Sequence, residues 1–125
     1  MDKSLTGLIS YLSGHGAEKQ VCRFLKKKGY RLECQNFHPK RGCGANELDL
    51  VMWDKKTLVF IEVKKRSFFA QAAEVVDGRL QKRLFKGAEA FLSAYPQYAG
   101  CDCRFDVVLV VDEEEPMHLQ NVIEG

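Results

Sequence analysis

The stretch of residues 47–66, ELDLVMWDKKTLVFIEVKKR, decides the fold because two apolar runs flank a short polar turn. The runs predict strands at 47–53 and 58–64, joined by a turn at 54–57. Four charged residues interrupt these strands, and they are Glu47, Asp49, Glu62 and Lys64. Because a bare charge inside a sheet is costly, we expect these side chains to be paired or to bind a ligand.

The register of the predicted hairpin brings the four charges together. If residues 55 and 56 form a two-residue turn, Asp49 lies opposite Glu62 and Glu47 lies opposite Lys64. Directly opposed residues share one face of the sheet, with Cβ atoms about 5 Å apart. A plain three-residue loop would instead turn Asp49 toward the wrong face. We therefore expect all four charges at one end of one face.

Two carboxylates at that spacing repel each other, and burial raises their pKa values further. A divalent cation removes this conflict, since Mg²⁺ is bound by carboxylates and completed by water and phosphate. Lys64 points the same way as Glu62 and is placed to stabilise charge on a phosphate or to hold an attacking water. The charge pattern alone leaves a second interpretation open, in which Lys64 forms a simple salt-bridge cluster with Glu47 and Glu62.

The rest of the chain predicts helices and strands on both sides of this hairpin. Before it we expect a short helix at 4–12 ended by residues 13–16, a helix at 17–28, a strand at 30–37 and a loop at 38–46. After it we expect a helix at 79–94, a loop at 95–103, a strand at 105–111 and a weaker strand at 117–123, with 67–78 unassigned. This order predicts an α/β (α+β) domain, α-β-β-β-α-β-β, with a mixed central sheet flanked by helices.

Length and composition limit the class of protein. The chain has 125 residues, 46% hydrophobic and 29% charged, which is typical of one soluble globular domain. We expect that single domain to cover 1–125, with 1–13 as an N-terminal extension. No stretch approaches the roughly 18 apolar residues of a membrane span, and no signal peptide is evident, so we expect a cytoplasmic protein without membrane partners.

Five cysteines are an odd number in a chain without a secretion signal, so reduced thiols are the simplest interpretation. The pair Cys101 and Cys103 lacks the spacing and the partner ligands of a usual zinc site. The net charge of +2 hides local basic clusters at 26–28, 40–41, 64–66 and 79–86. Such clustering is typical of proteins that bind a polyanion.

An ordered set of motifs supports a family resemblance. The motifs are Gly16-Ala17-Glu18 in the first long helix, Gly29-Tyr30 with Asn36, ELDLV at 47–51, LVFIEVKKR at 58–66 and RFDVV at 104–108. With them the chain resembles the YraN-like family of small uncharacterised bacterial proteins, which is assigned to the restriction-endonuclease-like, PD-(D/E)xK, fold. Three positions depart from the family pattern. Asn46 and Ala17 stand where glycines are usual, and the lysine that is usual before the second long helix falls near Leu80, so Arg79 or Lys82 would have to replace it.

The resemblance implies roles for individual residues. It implies that Asp49 and Glu62 bind Mg²⁺ or Mn²⁺, with Glu18 and the main-chain carbonyl of Val63 as further ligands. It implies that Lys64 is the catalytic lysine. Glu47 is a supporting candidate, because the hairpin register places it beside this group.

A basic stripe on the second long helix predicts contact with a nucleic-acid backbone. Arg79, Lys82, Arg83 and Lys86 follow one another at helical spacing without an intervening acidic residue. Lys65 and Arg66, directly after the catalytic strand, are candidates for the same role. The resulting hypothesis is a metal-dependent endonuclease that hydrolyses phosphodiester bonds of DNA, with branched or damaged DNA as candidate substrates.

Two other functions remain open from the sequence. One is a non-catalytic nucleic-acid-binding module of the same fold, and the other is an interaction protein with a structural metal. The sequence does not decide between DNA and RNA, or between a monomer and a homodimer.

Overall fold

The computed structural model describes residues 13–42, 44–45, 47–69 and 72–123. The predicted helix at 4–12 and all but the last residue of the predicted extension 1–13 lie outside these residues. Helix α1 spans Ser13–Lys27, followed by strands β1 (Arg31–Phe37), β2 (Leu48–Asp54) and β3 (Thr57–Lys65). A short helix α2 (Ala72–Val75) precedes helix α3 (Gly78–Ala94), a 3₁₀ helix (Pro96–Tyr98), and strands β4 (Asp102–Val110) and β5 (Met117–Leu119).

The strands form one mixed five-stranded sheet in the order β1-β2-β3-β4-β5. Neighbouring strands are antiparallel except for β3 and β4, which are parallel. A parallel pair needs a long crossover connection, and α3 provides it. The predicted fold class, a mixed sheet flanked by helices in the order α-β-β-β-α-β-β, is therefore confirmed.

The register predicted for the central hairpin is confirmed. Leu50 pairs with Ile61 and Asp54 pairs with Thr57, so the loop between β2 and β3 contains only Lys55 and Lys56. Lys55 adopts a left-handed backbone conformation with φ of +57°, although the sequence lacks the Asn-Gly pair that favours such turns. Extending this register by one residue brings Asp49 beside Glu62.

Two apolar layers cover the two faces of the sheet. On one face, Val51 and Phe60 of the hairpin pack with Leu84 and Phe91 of α3. On the other face, Leu50, Val59 and Ile61 pack with residues of α1. Because side chains alternate along a strand, Asp49 and Glu62 lie on the same face as Val51 and Phe60, which is the face that α3 covers.

The two long helices, α1 and α3, have end structures that their sequences favour. Asp77 caps α3 by accepting a 2.9 Å hydrogen bond from the amide of Leu80. At the end of α1, Gly29 has φ of +97°, and the amide of Tyr30 donates to the carbonyl of Leu25. This is a Schellman arrangement, which favours glycine at the left-handed position.

The prediction that residues 13–16 end a helix is wrong, because Ser13 instead begins α1. Glycine weakens a helix mainly in its interior, so the two glycines are tolerated in the first turn. Strand β4 also begins earlier than predicted, at Asp102, and β5 ends earlier, at Leu119. No helix in the described part of the chain is long and apolar enough to cross a membrane.

A buried polar cluster ties β4 to β5 and to the end of the hairpin. Asp106 is fully buried and accepts hydrogen bonds from Arg104, from Nε2 of His118 at 2.7 Å and from the amide of Asn121. Arg104 also donates to Asp54 at 2.8 Å. Burial alone would raise the pKa of Asp106, but these hydrogen bonds hold it below its ordinary value.

Candidate active site

Asp49 is the second residue of β2 and is held in place by the neighbouring strand. The backbone amide of Val63 donates a 2.8 Å hydrogen bond to Oδ2 of Asp49. Burial is the largest influence on this carboxyl group and, together with the nearby Glu18, raises its pKa to about 6, against the hydrogen bond from Val63. The hydrogen bond from Val63 and the nearby charge of Lys64 therefore do not fully compensate the negative charge of the partly buried Asp49 carboxylate.

Glu62 lies on β3 beside Asp49 and is buried. Its Oε1 atom contacts two cations, Nζ of Lys64 at 3.1 Å and Nη2 of Arg83 at 2.8 Å. Burial and the charge of Asp49 still raise the pKa of Glu62, against the opposing effect of both cations. Lys64 reaches Glu62 because residues two apart on a strand share a face.

Glu18 reaches the same carboxylates from α1, which packs on the opposite face of the sheet. Asp49 and the side chain of Asn36 lie close enough to its carboxyl group to influence the pKa of Glu18, both in the downward direction. Burial raises the pKa of Glu18, and its Oε2 atom is buried without a hydrogen-bond partner among the described residues. The structure therefore places Asp49, Glu62 and Lys64 at neighbouring positions of the hairpin, with Glu18 near enough to Asp49 to raise its pKa.

Asn36 belongs to this group, although its sequence position predicted no role in the site. It lies on β1 between the pairs Gln35–Leu50 and Phe37–Leu48, which places it beside Asp49. Its φ of +53° is unusual within a strand, and asparagine tolerates it better than most residues do. The sequence indicated a role for Asn36 through its match to the family motif that also contains Gly29-Tyr30.

An open cleft of about 370 Å³ gives access to the carboxylates and is lined by Glu47, Asp49, Glu62 and Arg83. The predicted pairing of Glu47 with Lys64 is wrong. Glu47 precedes the first residue of β2, so the strand register does not hold it, and its exposed side chain contacts His38 at 2.9 Å. Glu47 lies at the rim of the cleft.

The donor atoms fit a magnesium or manganese ion bound by few protein ligands. Asp49 and Glu62 are neighbouring carboxylates with raised pKa values, and Oε2 of Glu18 lacks a partner among the described residues. Within residues 13–42, 44–45, 47–69 and 72–123, no three His, Cys, Asp or Glu side chains are already arranged around a metal position. Mg²⁺ is usually bound by one or two carboxylates, with water and substrate phosphates completing its shell, rather than by an all-protein cage.

The sequence comparisons show which family the chain belongs to. The model of a family described as uncharacterised protein family UPF0102 matches residues 17–110. The chain belongs to this family. The predicted YraN-like resemblance is thereby confirmed.

Relatives within UPF0102 resemble nearly the whole chain. A UPF0102 protein of Pseudomonas fluorescens is 39% identical over 116 residues, which cover 90% of this chain and 93% of the relative. A UPF0102 protein of Parvibaculum lavamentivorans is 40% identical, covering 91% of this chain and 83% of the relative. A UPF0102 protein of Pseudomonas putida is 45% identical over 98 residues, which cover 77% of this chain and 76% of the relative.

The remaining predicted site residues of this UPF0102 chain lie outside the cleft. Val63 contributes its amide to Asp49, while metal binding by its carbonyl stays a prediction. Lys65 contacts Asp112 at 3.6 Å, and the amide of Arg66 extends the sheet by donating to Val110. Neither of these basic side chains lines the cleft.

The basic stripe on α3 is divided between two environments. Arg83 is partly buried and contacts Glu62, whereas Arg79, Lys82 and Lys86 are exposed. Lys82 and Lys86 also border a groove of about 500 Å³ that contains Phe85, which is 50% exposed. Their contact with a nucleic acid stays a prediction.

A second basic surface lies between α1 and β1. A groove of about 270 Å³ is lined by Lys19, Cys22, Arg23, Lys26, Leu32 and Gln35. Its three cations lie on the same helix as Glu18. Only the cluster at 26–28 was predicted from the sequence, although Lys19, Arg23 and Lys26 follow one another at helical spacing within the predicted helix at 17–28.

Proposed function

We propose that this UPF0102 chain is a divalent-metal-dependent endonuclease that hydrolyses phosphodiester bonds of DNA. The observation that carries the proposal is the neighbouring pair Asp49 and Glu62, with Lys64 bound to Glu62, in an open cleft. Perturbed carboxylates in a cleft are typical of functional sites. Such a pair destabilises the fold unless it binds a cation, so its presence is consistent with a catalytic role.

Asp49 and Glu62 would hold Mg²⁺ or Mn²⁺, and the carbonyl of Val63 would be a further ligand. Glu18 would join them only after its side chain moves, because the described residues do not arrange three carboxylates around one position. When bound, such an ion supplies Lewis-acid polarisation of a phosphoryl oxygen and a more acidic water. Val63 fixes the orientation of Asp49 through its amide. The ammonium group of Lys64 stabilises negative charge that develops on the phosphate, or orients the attacking water.

The backbone of the nucleic acid would contact the exposed cations on α3. Arg79 and Lys86 each lie about one helical turn from Arg83, which borders the cleft. Lysine and arginine bind phosphates without reading the base sequence. Branched or damaged DNA remains the preferred substrate class in this proposal.

A second candidate function is a nucleic-acid-binding module that does not cut. The observation in its favour is that Lys64 and Arg83 already neutralise Glu62, as in a structural ion-pair cluster. In that case Asp49 would bind little metal, and the basic surfaces would carry the whole function.

A cleavage assay distinguishes the two candidates. Single-stranded, duplex, flapped and four-way DNA and a structured RNA are incubated with Mg²⁺ or Mn²⁺. The endonuclease should cut at least one substrate, and Lys64→Ala should lower the rate by about 10²- to 10³-fold, since it removes one charge-stabilising donor. The control is Lys56→Ala, which removes the same charge from the exposed turn of the same hairpin.

Binding without cutting would support the non-catalytic module. Equal rates for Lys64→Ala and Lys56→Ala would exclude Lys64 from catalysis. If no substrate were bound or cut, both candidate functions would be wrong.

A further inference from the structure

Arg83 and Lys64 bind the same oxygen atom of Glu62 from two different elements. Nη2 of Arg83 lies 2.8 Å from Oε1, and Nζ of Lys64 lies 3.1 Å from it. Lys64 is on the same strand as Glu62, whereas Arg83 reaches across from α3. The Arg83 side chain is 39% exposed, compared with 22% for Lys64, and it borders the cleft.

A divalent cation at Asp49 and Glu62 would lie beside these two positive groups. Like charges within a few ångströms repel strongly in a partly buried site. Lys64 is held close by its position on the strand, so Arg83 is the group that can move away. Its Nε atom is buried without a hydrogen-bond partner among the described residues, so the contact with Glu62 leaves part of the guanidinium unsatisfied.

We infer that Arg83 couples metal binding to nucleic-acid binding. It leaves Glu62 when the metal ion binds, and its guanidinium then binds a phosphate of the nucleic acid at the mouth of the cleft. Arginine suits this role because its planar donors match phosphate geometry in two parallel hydrogen bonds. The inference rests on the proposed function, since it assumes a metal ion at Asp49 and Glu62.

The coupling acts in both directions. A phosphate that attracts Arg83 away from Glu62 removes a repulsive charge from the metal position, and a metal ion frees Arg83 for the phosphate. Linkage requires each ligand to raise the affinity of the other by the same factor. Arg83 thus delays assembly of the catalytic site until the nucleic acid is bound.

The first test measures metal binding without nucleic acid. Calorimetric titration of Arg83→Gln with Mn²⁺ should give an affinity about tenfold higher than that of the wild type, because a competing cation is gone. The control is Arg79→Gln, which removes the same charge one turn earlier from an exposed position on α3 and should change the affinity by less than about twofold. Arg83→Lys, which keeps the charge, should lie between the wild type and Arg83→Gln.

The second test measures binding of a flapped DNA duplex with and without Ca²⁺, which replaces Mg²⁺ to limit cutting. Arg83→Gln should weaken DNA binding about tenfold with Ca²⁺ but by less than about twofold without it, because Arg83 is then still on Glu62. An equal loss under both conditions would show that Arg83 binds phosphate regardless of the metal, and would overturn the inference.

The outcomes separate this inference from the proposed function. If the wild type and Arg83→Gln bind Mn²⁺ equally well, the metal site stands and the coupling through Arg83 is wrong. If Arg83→Gln binds Mn²⁺ more weakly than Arg79→Gln does, Arg83 supports the site instead of competing with the metal. If no variant binds Mn²⁺, the proposed function and the inference both fail. Thermal unfolding of each variant verifies that the fold is retained.

Discussion

The backbone amide of Val63 donates a 2.8 Å hydrogen bond to the side chain of Asp49. Strand β3, which carries Glu62 and Lys64, therefore also orients the carboxylate on β2. A one-residue change of register would turn Asp49 to the other face and break this hydrogen bond. The hairpin register thus determines whether Asp49 lies beside Glu62 in the candidate site.

Asp49→Asn should raise the stability of the protein while it removes metal binding. Because the folded-state pKa of Asp49 is raised to about 6, the ionised carboxylate destabilises the fold above that pH. The asparagine carbonyl can still accept the hydrogen bond from Val63. We expect the free energy of unfolding to rise by about 1 to 2 kcal/mol at pH 8, after allowance for solvent screening.

The pH dependence provides the control for this prediction. A raised carboxyl pKa means that wild-type stability falls as the pH rises from the ordinary value of 3.8 to about 6. The difference in the free energy of unfolding between Asp49→Asn and the wild type, measured by urea unfolding, should therefore disappear near pH 4. A difference that is equally large at pH 4 and pH 8 would show that ionisation of Asp49 is not its cause.

Asp106→Asn should strongly destabilise the fold. The variant leaves Arg104 and His118 without their charged partner in a buried cluster, which costs about 3 to 5 kcal/mol. The control is Asp112→Asn, whose side chain is 82% exposed and contacts Lys65, so its effect should stay below about 0.5 kcal/mol. Urea unfolding at pH 7 measures both.

Acid should reduce the contribution of Asp106. A carboxyl group with a lowered folded-state pKa contributes stability above its ordinary value of 3.8, and that contribution is lost as the pH falls through the folded-state value. The difference in the free energy of unfolding between the wild type and Asp106→Asn should thus become smaller below pH 4. Equal stabilities at pH 7 would show that the cluster does not hold β4 and β5 together.

Two triple variants should locate the nucleic acid on the surface. Replacing Arg79, Lys82 and Lys86 of α3 by alanine should weaken duplex binding and reduce its salt dependence by about 0.9 in logarithmic slope for each phosphate that the variant no longer binds. Replacing Lys19, Arg23 and Lys26 of α1 removes the same charge from the other basic groove. If only the α1 variant binds more weakly, the nucleic acid binds the α1 face and the prediction for α3 is wrong.

The sequence predicted the features that depend on local periodicity and on the hairpin. Counting outward along both strands from a two-residue turn at 55 and 56 placed Asp49 beside Glu62, and the structure has that register. The spacing of apolar residues likewise predicted α3, which begins one residue earlier than expected, at Gly78. Both follow from side-chain alternation and helical spacing, which the sequence shows directly.

Contacts between distant elements were not predictable in the same way. Arg83 has the same sequence context as its exposed neighbours on α3, and only the packing of that helix on β3 brings it to Glu62. Asn36 gave no local indication of its left-handed conformation or of its position beside Asp49. Glu47 was placed opposite Lys64 because the sequence did not show that β2 begins at Leu48, one residue after Glu47.

A crystal structure with Mn²⁺, and its anomalous difference map, tests the proposed metal site at Asp49 and Glu62 most directly. We expect one strong peak in the cleft, about 2.0 to 2.3 Å from carboxylate oxygens of both residues. Asp49→Asn crystals soaked in the same way should lack that peak. A map with no peak at these two residues, or with its only peak at Cys101 and Cys103, would contradict the proposed site.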